Sequence, residues 1–454
     1  MPMLSTNPAS GQTLHTFATW PMDQTHAVLS QVEHAQAAWA AHTIEQRSHA
    51  MRQLAQVFRQ YREEYAGLIT EEMGKLLKEA RAEVDKCALG CEYYADHAQS
   101  YLKDEVMASD ASRSLVTYQP LAILLCIRRW NFPFWQLIRA AAPAMMAGNA
   151  VVLKHASNVP RCALALEQAF QRAGFPANVF RTFMISADQT EAVLADPRIA
   201  AVTLTGSSQA GRKVASIAGQ HLKKCVLELG GSDPFIVLDD ADLETTAKQA
   251  LFARFQNMGQ SCIAAKRFIL IDSIADDFIE QVKTLVNAMQ SGDPKSEATT
   301  IAPMARDDLR TDLQSQVERS LTAGAKLVTG GSAIEMPGFY YHPTILDHVQ
   351  PGMPAFDEEL FGPVAAITRA KNTKEAIQLA NRTLFGLGGS VWTQDVVRGE
   401  ELARQIHAGC TFVNGVVKSD PRLPFGGIKD SGDGRELSYF GIREFVNIKT
   451  IWIK

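Results

Sequence analysis

The stretch VTLTGSSQAG, residues 202–211, predicts a strand, a glycine turn and the first turn of a helix. The same alternation of strand and helix continues on both sides of this stretch. From about residue 120 onward, short β-rich apolar runs alternate with helical patterns such as 159–173 and 209–223. The runs of this first series are 122–127, 150–153, 179–183, 200–204, 225–229 and 235–238. Regular alternation of strand and helix is typical of crossover units around a parallel sheet. We therefore expect an α/β fold.

A second alternating series occupies the later part of the chain. Its predicted elements are strands near 268–271, 326–329 and 364–368, separated by helices near 275–290 and 307–323. We infer two α/β units in series with a cleft between them and a boundary near Gly230-Gly231. The first third is predicted to be mostly helical, and the apolar stripe from Met51 to Leu68 reads as a core-facing helix surface without chemistry.

Composition bounds the class of protein. The chain has 454 residues, of which 46% are hydrophobic and 21% are charged, so it can bury a large core. A net charge of -4 argues against nucleic-acid binding through a broad basic surface. We find no apolar run long enough to span a membrane and no basic-then-apolar leader at the N-terminus. The seven scattered cysteines are read as reduced thiols of a cytoplasmic protein, and their spacing predicts no metal site.

Cys262 and Glu228 are the first candidates for chemistry. Cys262 follows the glycine turn at Gly259, and Lys266 and Arg267 would lower its pKa if they point inward. The alternative is a small buried hydrophobic residue. Glu228 ends an apolar strand, where burial would raise its pKa toward neutrality and suit it to act as a general base. The alternative is a buried structural salt bridge.

Three further residues could contact a ligand. Asn131 lies between two aromatic residues and before a proline, where its amide could donate to a developing oxyanion or simply hold a turn. The turn at Gly206 leaves helix N–H groups that could bind a phosphate, although a plain strand-to-helix turn is equally compatible with it. Lys154 closes a strand and could reach a ribose or phosphate, or could be solvated.

Taken together, these segments resemble the aldehyde dehydrogenase superfamily over nearly the whole chain. The resemblance is carried by Trp130-Asn131-Phe132-Pro133, the strand ending at Lys154, Gly206-Ser207 with Gly211, Glu228-Leu229-Gly230-Gly231, Gly259-Gln260-Ser261-Cys262, Glu358-Glu359-Leu360-Phe361-Gly362-Pro363 and Pro424-Phe425-Gly426-Gly427-Ile428-Lys429. Within the family, the segments 227–238 and 259–267 look most like bacterial succinate-semialdehyde dehydrogenases that use NAD⁺ or NADP⁺.

The resemblance implies an architecture. A Rossmann-type cofactor domain would comprise residues 1–113, 129–229 and 414–438, and an α/β catalytic domain would comprise 230–413. A small β oligomerisation element, 114–128 with 439–454, would pair across subunits of a homodimer or homotetramer.

The resemblance also implies roles for individual residues. Cys262 would attack the aldehyde as a thiolate, Asn131 would hold the oxyanion, and Glu228 would activate the water that hydrolyses the thioester. Relatives that pass the acyl group to another acceptor generally lack this glutamate, so its presence favours hydrolysis. The residues implied to bind NAD or NADP are Trp130, Lys154, Ser157, Gly206, Ser207, Gly211, Glu359 and Phe361.

Substrate and cofactor preference follow from single positions. Arg139 and Ser419 match residues that hold the distal carboxylate of succinate semialdehyde in the family. A second arginine of that site is replaced here by Gln256, for which Lys418 or Arg422 could compensate. Ser157 stands where NAD-preferring relatives often carry a glutamate that repels a 2′-phosphate. We therefore expect NADP⁺ to be tolerated or preferred.

Some features depart from the family pattern and keep alternatives open. Arg129, preceded by Arg128, replaces the usual proline before Trp130, and Asp433 stands where an apolar residue is common. The alternatives are a dehydrogenase for glutarate semialdehyde or an aliphatic aldehyde, an inactive structural or binding relative, and a cofactor-free thiol hydrolase, which would need a histidine beside Cys262.

Overall fold

The computed structural model describes residues 2–454, which form four β-sheets, fifteen α-helices and two short 3₁₀ helices at Gln256–Gly259 and Lys429–Ser431. The α-helices are α1 (Met22–Ala40), α2 (Ile44–Gln60), α3 (Arg62–Met73), α4 (Leu77–Tyr101), α5 (Trp135–Met146), α6 (Pro160–Arg172), α7 (Thr190–Ala195), α8 (Ser208–Gln220), α9 (Leu243–Phe255), α10 (Asp272–Asn287), α11 (Asp307–Thr322), α12 (Pro354–Asp357), α13 (Thr373–Asn381), α14 (Val396–Ala403) and α15 (Ser438–Glu444). The strands are β1 (Met3–Asn7), β2 (Gln12–Phe17), β3 (Glu105–Met107), β4 (Arg113–Pro120), β5 (Ile123–Ile127), β6 (Ala150–Lys154), β7 (Phe180–Thr182), β8 (Ile199–Thr205), β9 (Lys224–Glu228), β10 (Asp233–Val237), β11 (Ala265–Ile271), β12 (Lys326–Thr329), β13 (Thr344–Asp347), β14 (Val364–Ala370), β15 (Ser390–Trp392), β16 (Phe412–Val413), β17 (Gly432–Asp433) and β18 (Val446–Ile453).

Five of the six runs of the first predicted series lie in a six-stranded sheet with the order β17-β9-β8-β5-β6-β7, whereas the sixth run, 235–238, lies in β10 of a separate seven-stranded sheet. Five strands of the six-stranded sheet are parallel, and β17 is antiparallel to β9. The predicted runs of this first series lie within two residues of the observed strand ends. This agreement arises because fully buried strands of a parallel sheet read as short continuous apolar runs. The carboxyl ends of β5, β6 and β8 meet at one edge of the sheet, where open α/β folds bind ligands.

The second series forms a seven-stranded sheet with the order β12-β13-β14-β11-β10-β15-β16. The chain passes from one sheet to the other between Glu228, which ends β9, and Asp233, which begins β10. Strand β12 is antiparallel to β13, whereas we expected it within a parallel series. The connection 330–343 contains no helix, so the chain turns back at the sheet edge instead of crossing over.

The helical layer of the N-terminal third packs against the six-stranded sheet. The predicted core-facing stripe is confirmed at Met51, Leu54, Phe58 and Tyr65, which are completely buried, but it lies on two helices, because α2 ends at Gln60 and α3 begins at Arg62. Within residues 2–454 no helix is both long and apolar enough to cross a bilayer, and no group of His, Cys, Asp and Glu side chains is arranged to hold a metal ion.

A three-stranded antiparallel sheet, β18-β4-β3, stands apart from the two large sheets. The tail strand β18 pairs with β4 of its own chain, in a register that joins Val446 to Pro120 and Ile453 to Arg113. Strand β5, which we assigned with β4 to an oligomerisation element, lies instead in the middle of the six-stranded sheet between β8 and β6. The reason is its composition, because a continuous apolar run is stable only when both faces are covered.

Candidate active site

A cavity of about 260 Å³ lies where the N-terminal helices meet the loops of the seven-stranded sheet. The residues that line it are Glu79, Ala82, Glu83, Lys86, Phe132, Trp135, Gln136, Arg139, Phe252, Ala253, Gln256, Ser261, Cys262, Ile263, Ala264, Val416, Val417, Lys418, Ser419 and Phe425. Cys262, Arg139 and Ser419, three of the predicted site residues, therefore share one cavity, and the sulfur is not walled into the core.

The loop before Cys262 has an unusual backbone. Asn257, Met258 and Gly259 have consecutive φ values of 53°, 52° and 69°, in the left-handed region. A Cβ on Gly259 would overlap the carbonyl oxygen of Gly362, so only glycine fits there. Such a conformation costs about 1–3 kcal/mol for each non-glycine residue and persists only where neighbouring contacts enforce it.

Helix α4 and the Asn131 segment provide those contacts. The Asn257 backbone N–H donates to both carboxylate oxygens of Glu79, at 3.2 and 3.1 Å. The Asn257 side-chain Nδ2 donates to the carbonyl oxygens of Asn131 at 3.0 Å and of Gln260 at 3.1 Å. The loop before Cys262 is thus fixed from the opposite side of the cleft.

Burial dominates the electrostatics of Cys262. It raises the pKa of the thiol to about 11, although the positive charges of Arg139 and Lys266 act in the other direction. Lys266 points toward the loop and donates from Nζ to the carbonyl oxygens of Ser261 and Cys262, both at 2.8 Å. Arg267 turns away and donates to carbonyl groups elsewhere, including that of Ser232 at 2.9 Å. The expected lowering of the pKa is therefore outweighed, and the resting thiol is protonated at neutral pH.

Glu228 ends β9 in a nearly closed environment, with only 1% of the residue exposed. Neither of its carboxylate oxygens has a hydrogen-bond partner among the described residues, and the nearest cation, Arg139, has Nη2 at 3.8 Å from Oε2. Burial raises the pKa of this carboxyl to about 8 against the opposing charge of Arg139. A Cβ on Gly426 would lie 2.9 Å from Oε1, so the glycine leaves room for the carboxylate. A group with this pKa can exchange protons near neutral pH.

The amide of Asn131 is held in one orientation. Its Nδ2 donates to the carbonyl oxygen of Gln260 at 2.9 Å, and its Oδ1 accepts from Nε2 of Gln136 at 2.6 Å. Because the oxygen is already identified as an acceptor, the second Nδ2 hydrogen is available to another acceptor. Gln136 was not predicted from the sequence, and its position on helix α5 just after the Asn131 turn gave no signal.

Arg139 faces the interior of the protein as well as the cavity. Its guanidinium forms an ion pair with Glu436 through Nε, and its Nη2 donates to Oγ1 of Thr205 at 3.3 Å. It also lies over the ring of Phe425, 4.9 Å from the centroid. With the contact to Glu228 described above, Arg139 connects the candidate general base to the cavity wall.

The departures from the family pattern leave the cavity intact. Arg128 is buried beneath it and donates to Oγ1 of Thr205 at 2.7 Å and to Glu436 at 3.2 Å. Arg129 lies over the ring of Phe361, 3.7 Å from the centroid. Asp433 is exposed on β17, opposite Leu227. None of the three lines the cavity.

The end of the cavity at Ser419 holds a cation that the sequence analysis missed. Lys86 of helix α4 donates from Nζ to Oγ of Ser419 at 2.8 Å, and Trp135 donates from Nε1 to the same oxygen at 2.9 Å. Of the two residues we named as possible compensation for Gln256, Lys418 is exposed at the cavity and Arg422 is paired with Asp420 at 2.7 Å.

Several predicted cofactor residues gather at the carboxyl edge of the six-stranded sheet. Lys154 ends β6 half-buried, and desolvation lowers its pKa with no carboxylate acting against it. Gly206 follows β8, and Ser207 caps helix α8 by accepting from the N–H of Ala210 at 3.2 Å. Ser157 is exposed, as needed for contact with a ligand. A half-buried lysine without a counter-charge, on the same sheet edge as a helix N-terminus, fits an anionic dinucleotide.

The other cofactor candidates lie closer to Cys262. Glu359 accepts from the N–H of Gly231 at 3.0 Å and lies 3.7 Å from Nζ of Lys266. Trp130 packs edge-on to Phe361, with 5.7 Å between the ring centroids. Gly211 belongs to the first group, on helix α8, and it allows this helix to approach Leu229, because a Cβ there would lie 2.6 Å from Cδ2 of that side chain.

Comparison with known proteins agrees with this geometry. The sequence profile described as the aldehyde dehydrogenase family matches residues 2–451. A probable NADP(+) succinate-semialdehyde dehydrogenase of Synechocystis sp. is 50% identical over 453 residues and 100% of both chains. The succinate semialdehyde dehydrogenase Sad of Escherichia coli, named for NAD(P)+, is 45% identical over 99% of this chain and 97% of its own. The crystal structure of succinic semialdehyde dehydrogenase from Streptococcus pyogenes with NADP+ superposes with a TM-score of 0.97, at 38% identity and 99% coverage of each chain.

Proposed function

Because the chain belongs to the aldehyde dehydrogenase family, we propose that it oxidises succinate semialdehyde to succinate with NADP⁺ or NAD⁺ as the electron acceptor. The observation that carries the proposal is that Cys262, Arg139 and Ser419 line one cavity. An aldehyde that bears a distal carboxylate matches this arrangement. The names of the full-length relatives support the same substrate.

The reaction begins with addition of the Cys262 thiolate to the carbonyl carbon, which forms a thiohemiacetal. Because the resting thiol is protonated, its proton must leave first, to solvent through the cavity, so that the Glu228 carboxylate remains free to take a proton from water in the later step. The free Nδ2 hydrogen of Asn131 and the backbone N–H of Cys262 are the candidate donors to the oxyanion. The oxidised nicotinamide supplies an acceptor for the hydride that the thiohemiacetal carbon loses when the thioester forms.

Hydrolysis then releases the acid. Glu228 removes a proton from a water molecule, the hydroxide adds to the thioester carbon, and the sulfur of Cys262 leaves with its electron pair. Lys266 fixes the carbonyl groups of the loop that carries the sulfur, so the nucleophile keeps its place through both steps.

The residues proposed to hold the dinucleotide divide into two groups. Lys154, Ser157, Gly206, Ser207 and Gly211 would bind the adenosine and phosphate portion. Trp130, Glu359 and Phe361 would position the nicotinamide end beside Cys262. The serine at 157 leaves a 2′-phosphate unopposed by a carboxylate, which supports use of NADP⁺.

A substrate and cofactor panel tests the proposal. Succinate semialdehyde, glutarate semialdehyde and butanal are compared with NADP⁺ and NAD⁺ by the absorbance of the reduced cofactor. The proposal requires the highest kcat/KM with succinate semialdehyde, and a preference for butanal would contradict it. Loss of turnover in Cys262→Ala with retained cofactor binding tests the nucleophile. Absence of turnover with every aldehyde would favour the inactive relative.

We further infer that the three-stranded sheet takes part in a homodimer or homotetramer. Strand β18 exposes Ile448, Ile451, Trp452 and Ile453, which is an apolar surface at a sheet edge. Substitution of Ile451 and Trp452 by Asp is expected to shift the mass in solution toward the monomer, and an unchanged mass would contradict the assignment. We also propose that residues 1–113, 129–229 and 414–438, together with β5, form the cofactor domain and that residues 230–413 form the catalytic domain. A cytoplasmic location is proposed from seven free cysteines.

A further inference from the structure

We propose that Lys86 is a specificity-determining residue whose ammonium group binds the distal carboxylate of the substrate together with Arg139 and Ser419. The inference rests on the proposed function, because it identifies a group that recognises the proposed substrate class. It assigns chemistry to helix α4, which the sequence analysis left without any.

The position of Lys86 is fixed by two contacts inside the cavity. Its Nζ lies 2.8 Å from Oγ of Ser419 and 4.5 Å from the ring centroid of Trp135. None of the ion pairs formed within residues 2–454 includes Lys86. A half-buried ammonium group that contacts only a hydroxyl and an aromatic face retains the capacity to bind an anion.

The acids around Lys86 are already paired with other cations. Glu83, one turn earlier on α4, is paired with Lys75, and Asp420 is paired with Arg422. Of the other titratable groups that line the cavity, Glu79 accepts with both oxygens from the N–H of Asn257, and Lys418 and Cys262 carry no negative charge at neutral pH. Cys87, beside Lys86 on α4, is buried, and the like charge of Arg139 disfavours the protonated amine. Desolvation acts in the same direction, and together they lower the pKa of Lys86 to about 8. Two cations on one cavity wall without a local counter-charge on Lys86 favour an anionic ligand.

Ser419 adds the geometric argument. Its oxygen accepts hydrogen bonds from Lys86 and from Trp135, so both lone pairs are in use. The hydroxyl hydrogen must therefore point to a third group that accepts. A carboxylate is an acceptor with no hydrogen of its own, and it could receive bonds from Ser419 and Lys86 together. Gln256 carries no charge, so Lys86 supplies the second positive charge of the site.

The test compares Lys86→Met with the unmodified enzyme, using succinate semialdehyde and butanal, which have four carbons each and differ by the carboxylate. We expect kcat/KM for succinate semialdehyde to fall about 10- to 100-fold, mainly through KM, as for loss of a hydrogen bond to a charged group. The value for butanal should change less than twofold. Lys86→Arg should recover part of the loss, and Lys103→Met is the matched control because Lys103 is exposed outside the cavity.

The outcomes are separable. An unchanged ratio of the two kcat/KM values in Lys86→Met overturns the role of Lys86 while the unmodified enzyme still prefers succinate semialdehyde. A wild-type enzyme without that preference instead overturns the proposed function. Should Lys86→Met fail to fold, the pH dependence of the unmodified enzyme decides. KM for succinate semialdehyde, divided by KM for butanal, must rise above pH 8 as Lys86 loses its proton, and a constant ratio refutes the inference.

Discussion

Replacement of Glu228 by Gln should separate the two halves of the reaction. The substitution keeps the size of the side chain and removes the group that takes a proton from water. General bases contribute about 10²–10⁴-fold to such steps, so thioester hydrolysis should slow by that factor while hydride loss from the thiohemiacetal is less affected. A rapid-mixing experiment should then show a burst of reduced cofactor, about one equivalent per active site, followed by slow turnover.

The structure also gives the pH dependence of the unmodified enzyme. With a pKa of about 8 for Glu228, about one tenth of the carboxyl groups are ionised at pH 7 and about nine tenths at pH 9. Where hydrolysis limits turnover, kcat should therefore rise about tenfold between these pH values, and the rise should be absent in Glu228→Gln. Glu244→Gln, on the exposed face of α9, is the matched control.

The pH dependence of stability provides an independent measurement of the Glu228 pKa. Burial raises the folded-state pKa of Glu228 above its ordinary value of 4.5, so folding favours the protonated form. The unmodified enzyme must therefore lose stability relative to Glu228→Gln as pH rises from about 4.5 through 8, and the difference in Tm should level off above that. A variant without a burst, or with the same pH profile as the unmodified enzyme, would refute the assignment of Glu228 as the base.

Three further substitutions follow from the site. Gln136→Leu removes the donor that fixes the Asn131 amide, so kcat should fall about tenfold or more with little change in KM. A rise in KM as large as the fall in kcat would contradict a positioning role. Ser157→Glu should lower kcat/KM for NADP⁺ about 10- to 100-fold and leave kcat/KM for NAD⁺ nearly unchanged. An equal fall in kcat/KM with both cofactors would show that the 2′-phosphate does not bind beside residue 157. Gly259→Ala should lower the free energy of unfolding by about 2 kcal/mol or more in urea titrations, because its φ is 69° and a Cβ meets Gly362; a stability equal to that of the unmodified enzyme would show that the loop can relax.

The sequence predicted those parts of the molecule that depend on local pattern. Buried parallel strands are recognisable in a sequence as continuous apolar runs, so the ends of β5, β6 and β8 could be predicted to within one residue. Cys262, Glu228 and Asn131 could be proposed as site residues because each lies in a short motif. The antiparallel pairing of β12 was missed because the direction of an edge strand depends on whether the following connection contains a helix.

The residues that tune the site could not be predicted, because their partners are distant in sequence. The ion pair of Arg139 with Glu436 and the contact of Lys86 with Ser419 both join the first third of the chain to its end. The net pKa of Cys262 was also out of reach, since it depends on how burial compares with the charges of Lys266 and Arg139. One signal was available for α4: Glu83 lies within the apolar stripe that contains Ala80, Val84 and Cys87, and a charge there must have a specific partner.

Helix α4 reaches the site at three positions along one face. Glu79 holds the Asn257 loop, Glu83 accepts from the N–H groups of Phe134 and Trp135 at the start of α5, and Lys86 lies in the cavity. A helix rotates by about 100° with each residue, so insertion or deletion of one residue between Glu79 and Lys86 would point at least one of these side chains away from the site. The length of this seven-residue interval is consequently as constrained as the identity of the three side chains that it separates.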